Sequence, residues 1–165
     1  MRIIAGKLRS RKFEAPPGES TRPTGDKARG ALFNILHLLL ENARVLDGFA
    51  GSGALSFEAL SRGAAEAVLF ETDTEAVSLL RQNARSLGLL SQTDIRHGDF
   101  LAGSAGLTGR IFDIVFLDPP YASGLLLKAV IVSGGLLAPG GIIVAEHSSD
   151  DTLPGSISSL VKTGV

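Results

Sequence analysis

The sequence predicts an α/β fold: a doubly wound, mostly parallel sheet with helices on both faces, preceded by a short basic N-terminal β-hairpin arm. Three observations predict it. Strand and helix patterns alternate from Arg44 to Glu146, the order that builds a parallel sheet. The run Ile114, Val115, Phe116, Leu117 is apolar without alternation, as a strand covered on both faces requires. Four strand ends carry an acid, Asp47, Glu71, Asp99 and Asp118, at the edge where such sheets bind their ligands.

Taken in order, Arg2–Ala5 and Leu8–Phe13 read as two short strands turned at Gly6-Lys7, and residues 14–25 read as loop from their Pro, Gly, Ser and Thr content. Asp26–Leu40 carries Ala28, Ala31, Leu32, Ile35, Leu36 and Leu39 at helical spacing, with Thr24 as the expected N-cap. A short strand, Arg44–Asp47, leads into Gly48-Phe-Ala-Gly-Ser-Gly53 and a helix to about Arg62. Glycines 51 and 53 allow a tight strand-to-helix turn with main chain open to a ligand. Ser56 stands where a dinucleotide fingerprint has its third glycine, which turns the reading away from nicotinamide cofactors. The strand Ala67–Phe70 ends at Glu71, placed to accept both hydroxyls of a ribose. Helix Thr74–Leu87 is closed by Gly88. The strand Asp94–His97 leads to Asp99 and Phe100, an acceptor for an adenine amino group and a ring to lie against it. After a Gly-rich loop at 102–109 come the central strand, a helix around Leu125–Val132, a turn at Pro139-Gly-Gly141 and a strand Ile142–Glu146.

With 165 residues, 44% hydrophobic and 20% charged, the chain has one domain's worth of core, divided here into an arm and loop over 1–25 and a ligand-binding domain over 26–165. There is no cysteine, which removes disulfides and thiolate metal sites, and three scattered histidines offer no ligand spacing. His147 reads as a structural histidine. No signal-like or membrane-spanning run is present, so the expected location is the cytoplasm. Net charge is −1, but residues 1–30 hold eight basic side chains against three acids, while the other 135 residues hold eight bases and fourteen acids. A basic arm on an acidic domain is a candidate nucleic-acid surface. Its bases are Arg2, Lys7, Arg9, Arg11, Lys12, Arg22, Lys27 and Arg29.

The chemistry is expected where the central strand stops, at Asp118-Pro119-Pro120-Tyr121. The prolines have no N–H and hold stiff backbone, so the stretch presents a carboxylate and carbonyls as acceptors. Tyr121, the one tyrosine, adds a flat ring. A planar group bearing an NH2 fits such a place, its hydrogens taken by Asp118 and the Pro119 carbonyl.

Val45-Leu-Asp-Gly-Phe-Ala-Gly-Ser-Gly53, the acid at 71, Gly98-Asp99 and Asp118-Pro-Pro-Tyr121 resemble the S-adenosylmethionine-dependent amino-group methyltransferases of class I, Rossmann-like fold. Met1-Arg-Ile-Ile-Ala-Gly-Lys-Leu-Arg-Ser-Arg11 and Arg22-Pro-Thr with Arg29 and Leu32-Phe-Asn-Ile-Leu36 resemble, within these, the RsmD-type enzymes that modify the N2 amine of a guanine in bacterial 16S ribosomal RNA. The resemblance implies that Asp47, Phe49, Gly51, Ser52 and Gly53 hold the methionine part of S-adenosylmethionine, Glu71 its ribose, and Asp99 with Phe100 its adenine. Asp118, Pro119, Pro120 and Tyr121 would hold the target base. Lys7, Arg9, Arg11, Lys12, Arg22 and Arg29 would contact RNA, the partner being 16S rRNA or the small subunit, with no metal and a monomeric enzyme. Gly48 departs from the larger apolar residue usual in the family. The family returns with a C-terminal antiparallel hairpin near where this chain ends at Val165; that hairpin is expected to be missing here, which leaves one sheet edge bare. The rival readings are a DNA adenine-N6 or cytosine-N4 methyltransferase, a nicotinamide oxidoreductase and a non-catalytic RNA-binding domain.

Overall fold

The computed structural model describes residues 1–15, 23–120, 124–146, 154–157 and 159–163. Its elements are α1 (Pro23–Ile35), β1 (Arg44–Asp47), α2 (Ala54–Ser61), β2 (Glu66–Glu71), α3 (Thr74–Leu87), β3 (Thr93–His97), α4 (Phe100–Gly103), β4 (Phe112–Leu117), α5 (Leu125–Gly134), β5 (Leu137–Ala145), β6 (Ser156–Ile157) and β7 (Leu160–Val161). The main sheet runs β3-β2-β1-β4-β5, and all four pairings are parallel. From β1 the chain moves out to β2 and β3 on one flank and returns to β4 and β5 on the other. The crevice between β1 and β4 is the switch point, where parallel sheets bind their ligands. β6 and β7 pair antiparallel as a separate ladder.

The unbroken apolar strands supply two cores because successive side chains point to opposite faces. Val45, Ala67, Leu69, Ile114 and Phe116 face α1, α2 and α3. Leu46, Val68, Phe70, Val115 and Leu117 face α4 and α5. Among the described residues no helix is long and apolar enough to cross a membrane.

Several elements differ from the sequence expectation. Helix α1 begins at Pro23, a favoured first helical position because proline lacks only an N–H that would be unpaired there. Thr24 therefore lies inside the first turn, not at the position before it. The helix stops at Ile35, and a 3-10 turn over His37–Leu39 continues toward β1. The loop expected at 102–109 is largely helical: Asp99 caps α4 by accepting from the Ala102 N–H at 2.8 Å, and a 3-10 turn follows over Ser104–Leu107. Strand β5 runs through the expected turn at 139–141, absorbing it as an irregularity where the register jumps between Phe112 and Ile114.

The N-terminal segment differs most. Its two expected strands reduce to one antiparallel bridge between Arg2 and Lys12, and the chain turns through residues 5–10 rather than at Gly6-Lys7 alone. It is docked on the core. Ile3 is 1% and Phe13 is 5% exposed, and Phe13 meets Phe57 edge-on at 5.7 Å. The fully buried carboxylate of Glu58 accepts from the N–H groups of Ile4 (2.8 Å) and Ala5 (3.0 Å) and from Arg62 Nε (2.7 Å). Ser61 Oγ accepts from the Leu8 N–H and donates to the Ala5 carbonyl. Asn83 makes paired bonds to the N–H and carbonyl of Glu14. Gly6 sits at φ +82°, so near α2 that an added Cβ would lie 2.0 Å from the Ser61 carbonyl oxygen. Only glycine fits there.

Candidate active site

One cavity of about 600 Å³ lies over the carboxyl ends of the strands. It brings together Asp47, Phe49, Gly51, Ser52, Glu71, Asp99, Phe100, Asp118, Pro119 and Pro120 from the sequence-predicted set. Gly53 does not line it; its role is to make the turn. At φ +79° an added Cβ would fall 2.5 Å from Phe57 Cε2 and 2.7 Å from Leu80 Cδ2, so the loop enters α2 pressed against core side chains.

Main-chain bonds stitch the glycine loop to its neighbours: Gly48 N–H to the Phe116 carbonyl at 3.0 Å, Ala50 N–H to the Phe70 carbonyl at 2.9 Å and Gly53 N–H to the Ala50 carbonyl at 2.7 Å. Glu71 adds a side-chain tie. Its Oε2 accepts from the Gly51 N–H at 2.9 Å and its Oε1 from the Asp73 N–H at 2.8 Å. The acid ending β2 therefore braces the loop ending β1; Oε1 also accepts from Thr72 Oγ1 at 3.5 Å, while Oε2 keeps a lone pair for a further donor.

Asp47 is 2% exposed and accepts from Ser56 Oγ at 2.8 Å. This gives the side chain at position 56 a use that glycine could not supply. Burial pushes the Asp47 carboxyl up to about 7; the Ser56 and Phe49 hydrogen bonds oppose the rise, and the nearby carboxylates of Asp118 and Glu71 add to it. Phe100 is 1% exposed and packs edge-on against Phe70 (5.6 Å) and Phe49 (6.3 Å). It closes the cavity floor while belonging to the core. Asp118 is exposed and Pro119 buried, so the carboxylate stands at the cavity on a fixed backbone. Tyr121 and His147 lie outside the described residues.

Of the predicted RNA contacts, Lys7, Arg9, Arg11 and Lys12 are exposed. Lys7 Nζ reaches Gln92 Oε1 and Arg11 Nη2 reaches the Ser86 carbonyl, which lays this basic surface beside α3. Arg22 lies outside the described residues. Arg29 differs from these four: it is 8% exposed and lines the cavity. Sequence reasoning also passed over Glu146, which lines the cavity at the end of β5. The acid-at-strand-end rule applied to the other strands would have found it. Thr72, Leu55 and Val144 also line the cavity, without any signal of their own. Among the described residues, no group of three or more His, Asp or Glu comes together that could hold a metal ion.

Compared with known proteins, the family model described as Conserved hypothetical protein 95 matches residues 1–164. Ribosomal RNA small subunit methyltransferase D of Escherichia coli K12 is 39% identical over 158 residues, covering 93% of this chain and 78% of its own length. The protein of the same name from Haemophilus influenzae is 38% identical over 159 residues, covering 93% and 81%. The solved structure of a hypothetical protein from Thermus thermophilus superposes with a TM-score of 0.81 at 37% identity, covering 93% of this chain and 90% of that one. Sequence motifs, sheet order and a family match across nearly the whole length agree, and the chain belongs to the conserved hypothetical protein 95 family, that of the RsmD-type methyltransferases.

Proposed function

We propose that the chain transfers a methyl group from S-adenosylmethionine to the exocyclic N2 amine of a guanine in bacterial small-subunit ribosomal RNA. The observation that carries the reading is a cavity joining two sets of acceptors. Glu71 and Asp99 stand at the ends of the β2 and β3 flank, and Asp118 with Pro119 stands on the β4 flank. The glycine loop lies between them. The residues fit the cofactor. Glu71 Oε2 retains acceptor capacity for a ribose hydroxyl, Asp99 Oδ2 is not the oxygen that caps α4, and Gly48 and Gly51 present main chain to the cavity. When bound, S-adenosylmethionine supplies an electrophilic methyl group on a sulfonium.

The protein's part is to prepare the amine and hold it in line. An exocyclic amine is a weak nucleophile because its lone pair is delocalised into the ring. Asp118 and the Pro119 carbonyl each accept one amine hydrogen, which favours the tetrahedral nitrogen of the transition state over the planar ground state. Positioning supplies much of the rest. The proton is lost after methyl transfer, so no strongly basic group is required. Lys7, Arg9, Arg11 and Lys12 hold the RNA through phosphates without reading sequence. The names of the bacterial relatives support ribosomal RNA as the substrate class.

The test is transfer of labelled methyl to 16S rRNA, to small subunits and to DNA, with the modified base mapped by mass. Label on guanine N2 of rRNA is expected. Label on adenine or cytosine of DNA would replace the substrate assignment, and no transfer to any of them would overturn the enzymatic reading.

A further inference from the structure

Arg29 is the cation that the proposed reaction does not yet use. Its side chain is 7% exposed, and it reaches the cavity from α1, on the same helix face as Gly25, Ala28 and Leu32. Nη2 is committed, donating to the Arg2 carbonyl at 2.8 Å and to Asp26 Oδ1 at 3.0 Å. Nε is buried with no hydrogen-bond partner, and Nη1 makes no hydrogen bond among the described residues. Ser133 Oγ is the other such buried atom among the described residues, and Ser133 does not line the cavity. The charge is unbalanced as well. Asp26 is shared with Arg2, whose Nε it accepts at 3.1 Å, so one carboxylate serves two guanidiniums. A buried guanidinium with unused donors and half a counter-ion is costly unless an anion completes it.

We propose that Arg29 is a ligand-contact residue that takes an anionic oxygen of the bound reactants, and that the cofactor's amino-acid carboxylate is that anion. Its place on the fold favours this source. Helix α1 packs over the β4 flank, where Phe33 meets Phe116 at 5.8 Å. Glu71 and Asp99, the acceptors for ribose and adenine, stand on the opposite flank. The end of the cofactor that remains for Arg29 is therefore the amino-acid end, and a guanidinium N–H makes a charge-assisted bond to a carboxylate oxygen. A phosphate of the target nucleotide has the same chemistry and is the other source. The inference rests on the cofactor reading above.

Calorimetry separates the cases with two probes that share adenine, ribose and thioether. S-adenosylhomocysteine keeps the amino-acid tail, and 5′-methylthioadenosine lacks it. Arg29→Gln is expected to weaken S-adenosylhomocysteine by about 10- to 100-fold, the scale of a charge-assisted bond, and to leave methylthioadenosine within about twofold. Arg29→Lys should recover part of the loss. If both probes keep wild-type affinity while binding of a 16S rRNA fragment weakens with a flatter salt dependence, the anion is a phosphate and Arg29 remains its contact. Equal loss for both probes, as from a damaged fold, or no change in either probe or in RNA binding, overturns the inference. Wild-type protein that binds neither probe would instead sink the cofactor reading.

Discussion

Replacing Glu58 tests whether the N-terminal segment is structural. Its carboxylate is fully buried in α2 and satisfies three donors: the N–H groups of Ile4 and Ala5 and Arg62 Nε. In Glu58→Ala the Arg62 guanidinium, 13% exposed in its side chain, loses its carboxylate, and two backbone N–H groups lose their acceptor. Breaking a buried pair from one side costs about 3–5 kcal/mol. Partial rescue of the two N–H groups by water would bring the loss toward the lower end. Glu58→Gln is the sharper variant. The Oε1 position, which serves Ala5 and Arg62, can stay an acceptor, but the amide nitrogen then faces the Ile4 N–H, donor against donor. A loss of roughly 2–3 kcal/mol is expected, about one unpaired N–H plus a weakened charge-assisted bond. The assay is urea unfolding with the m-value checked for constancy. A loss below about 1 kcal/mol for Glu58→Ala would refute the docking argument. The same reasoning predicts that deleting residues 1–13 unfolds or badly destabilises the chain, since Ile3 and Phe13 each contribute roughly 1.5–3 kcal/mol by burial.

Asp118→Ala should lower single-turnover methyl transfer by about 100-fold or more, the scale of one lost preorganised partner of a transition state. Because Asp118 is exposed, the variant's unfolding free energy should stay within about 0.5 kcal/mol of wild type; a wild-type rate would refute the amine clamp. Glu71→Ala should weaken S-adenosylhomocysteine binding by about 1.5–3 kcal/mol, and exchange of the Gly51 amide hydrogen should speed up because its acceptor is gone; unchanged affinity would place the ribose elsewhere. Asp47 sets a pH dependence. Its folded value of about 7 lies above the ordinary 3.8, so between the two the folded chain holds a proton that the unfolded chain has released. This contribution to stability is full below 3.8 and is lost as pH rises through about 7. Asp47→Asn should remove that slope and gain roughly 2–4 kcal/mol on wild type at pH 8; parallel stability curves from pH 5 to 8 would refute it. Asp113, held below its ordinary value by Arg44, acts in the opposite sense at lower pH, its contribution being lost as pH falls through its folded value.

Where a single local pattern dominates, the sequence was sufficient. Helix α3 begins at Thr74 and ends at Leu87 as read, because its apolar period is strong and Gly88 terminates it at φ 77°. β1 and β4, with the acids at their ends, were also legible, because strands covered on both faces stand out as apolar runs. The cavity position of Arg29 was not legible, because charge counted along a chain does not say which face of α1 a side chain occupies. Residues 102–109 looked like loop by composition, yet the Asp99 cap and the burial of Phe100 and Leu107 hold helical turns there. Glu58 gave no signal at all. An acid within Ala-Leu-Ser-Phe-Glu-Ala-Leu-Ser reads as a solvated residue until its partners arrive from a segment more than fifty residues away.

Those separations bear on the order in which the molecule is assembled. Ile4 and Ala5 reach Glu58 across 54 and 53 residues, and Glu14 reaches Asn83 across 69. During synthesis the N-terminal segment leaves the ribosome well before α2 and α3 exist to receive it. At about 5–20 residues per second, it waits several seconds with Ile3 and Phe13 uncovered and its basic side chains free to meet nearby RNA. Closing such long loops is entropically slow compared with forming local turns. Met1 also lines the cavity, so a nascent chain cannot finish its reaction chamber until this early-made segment has folded back.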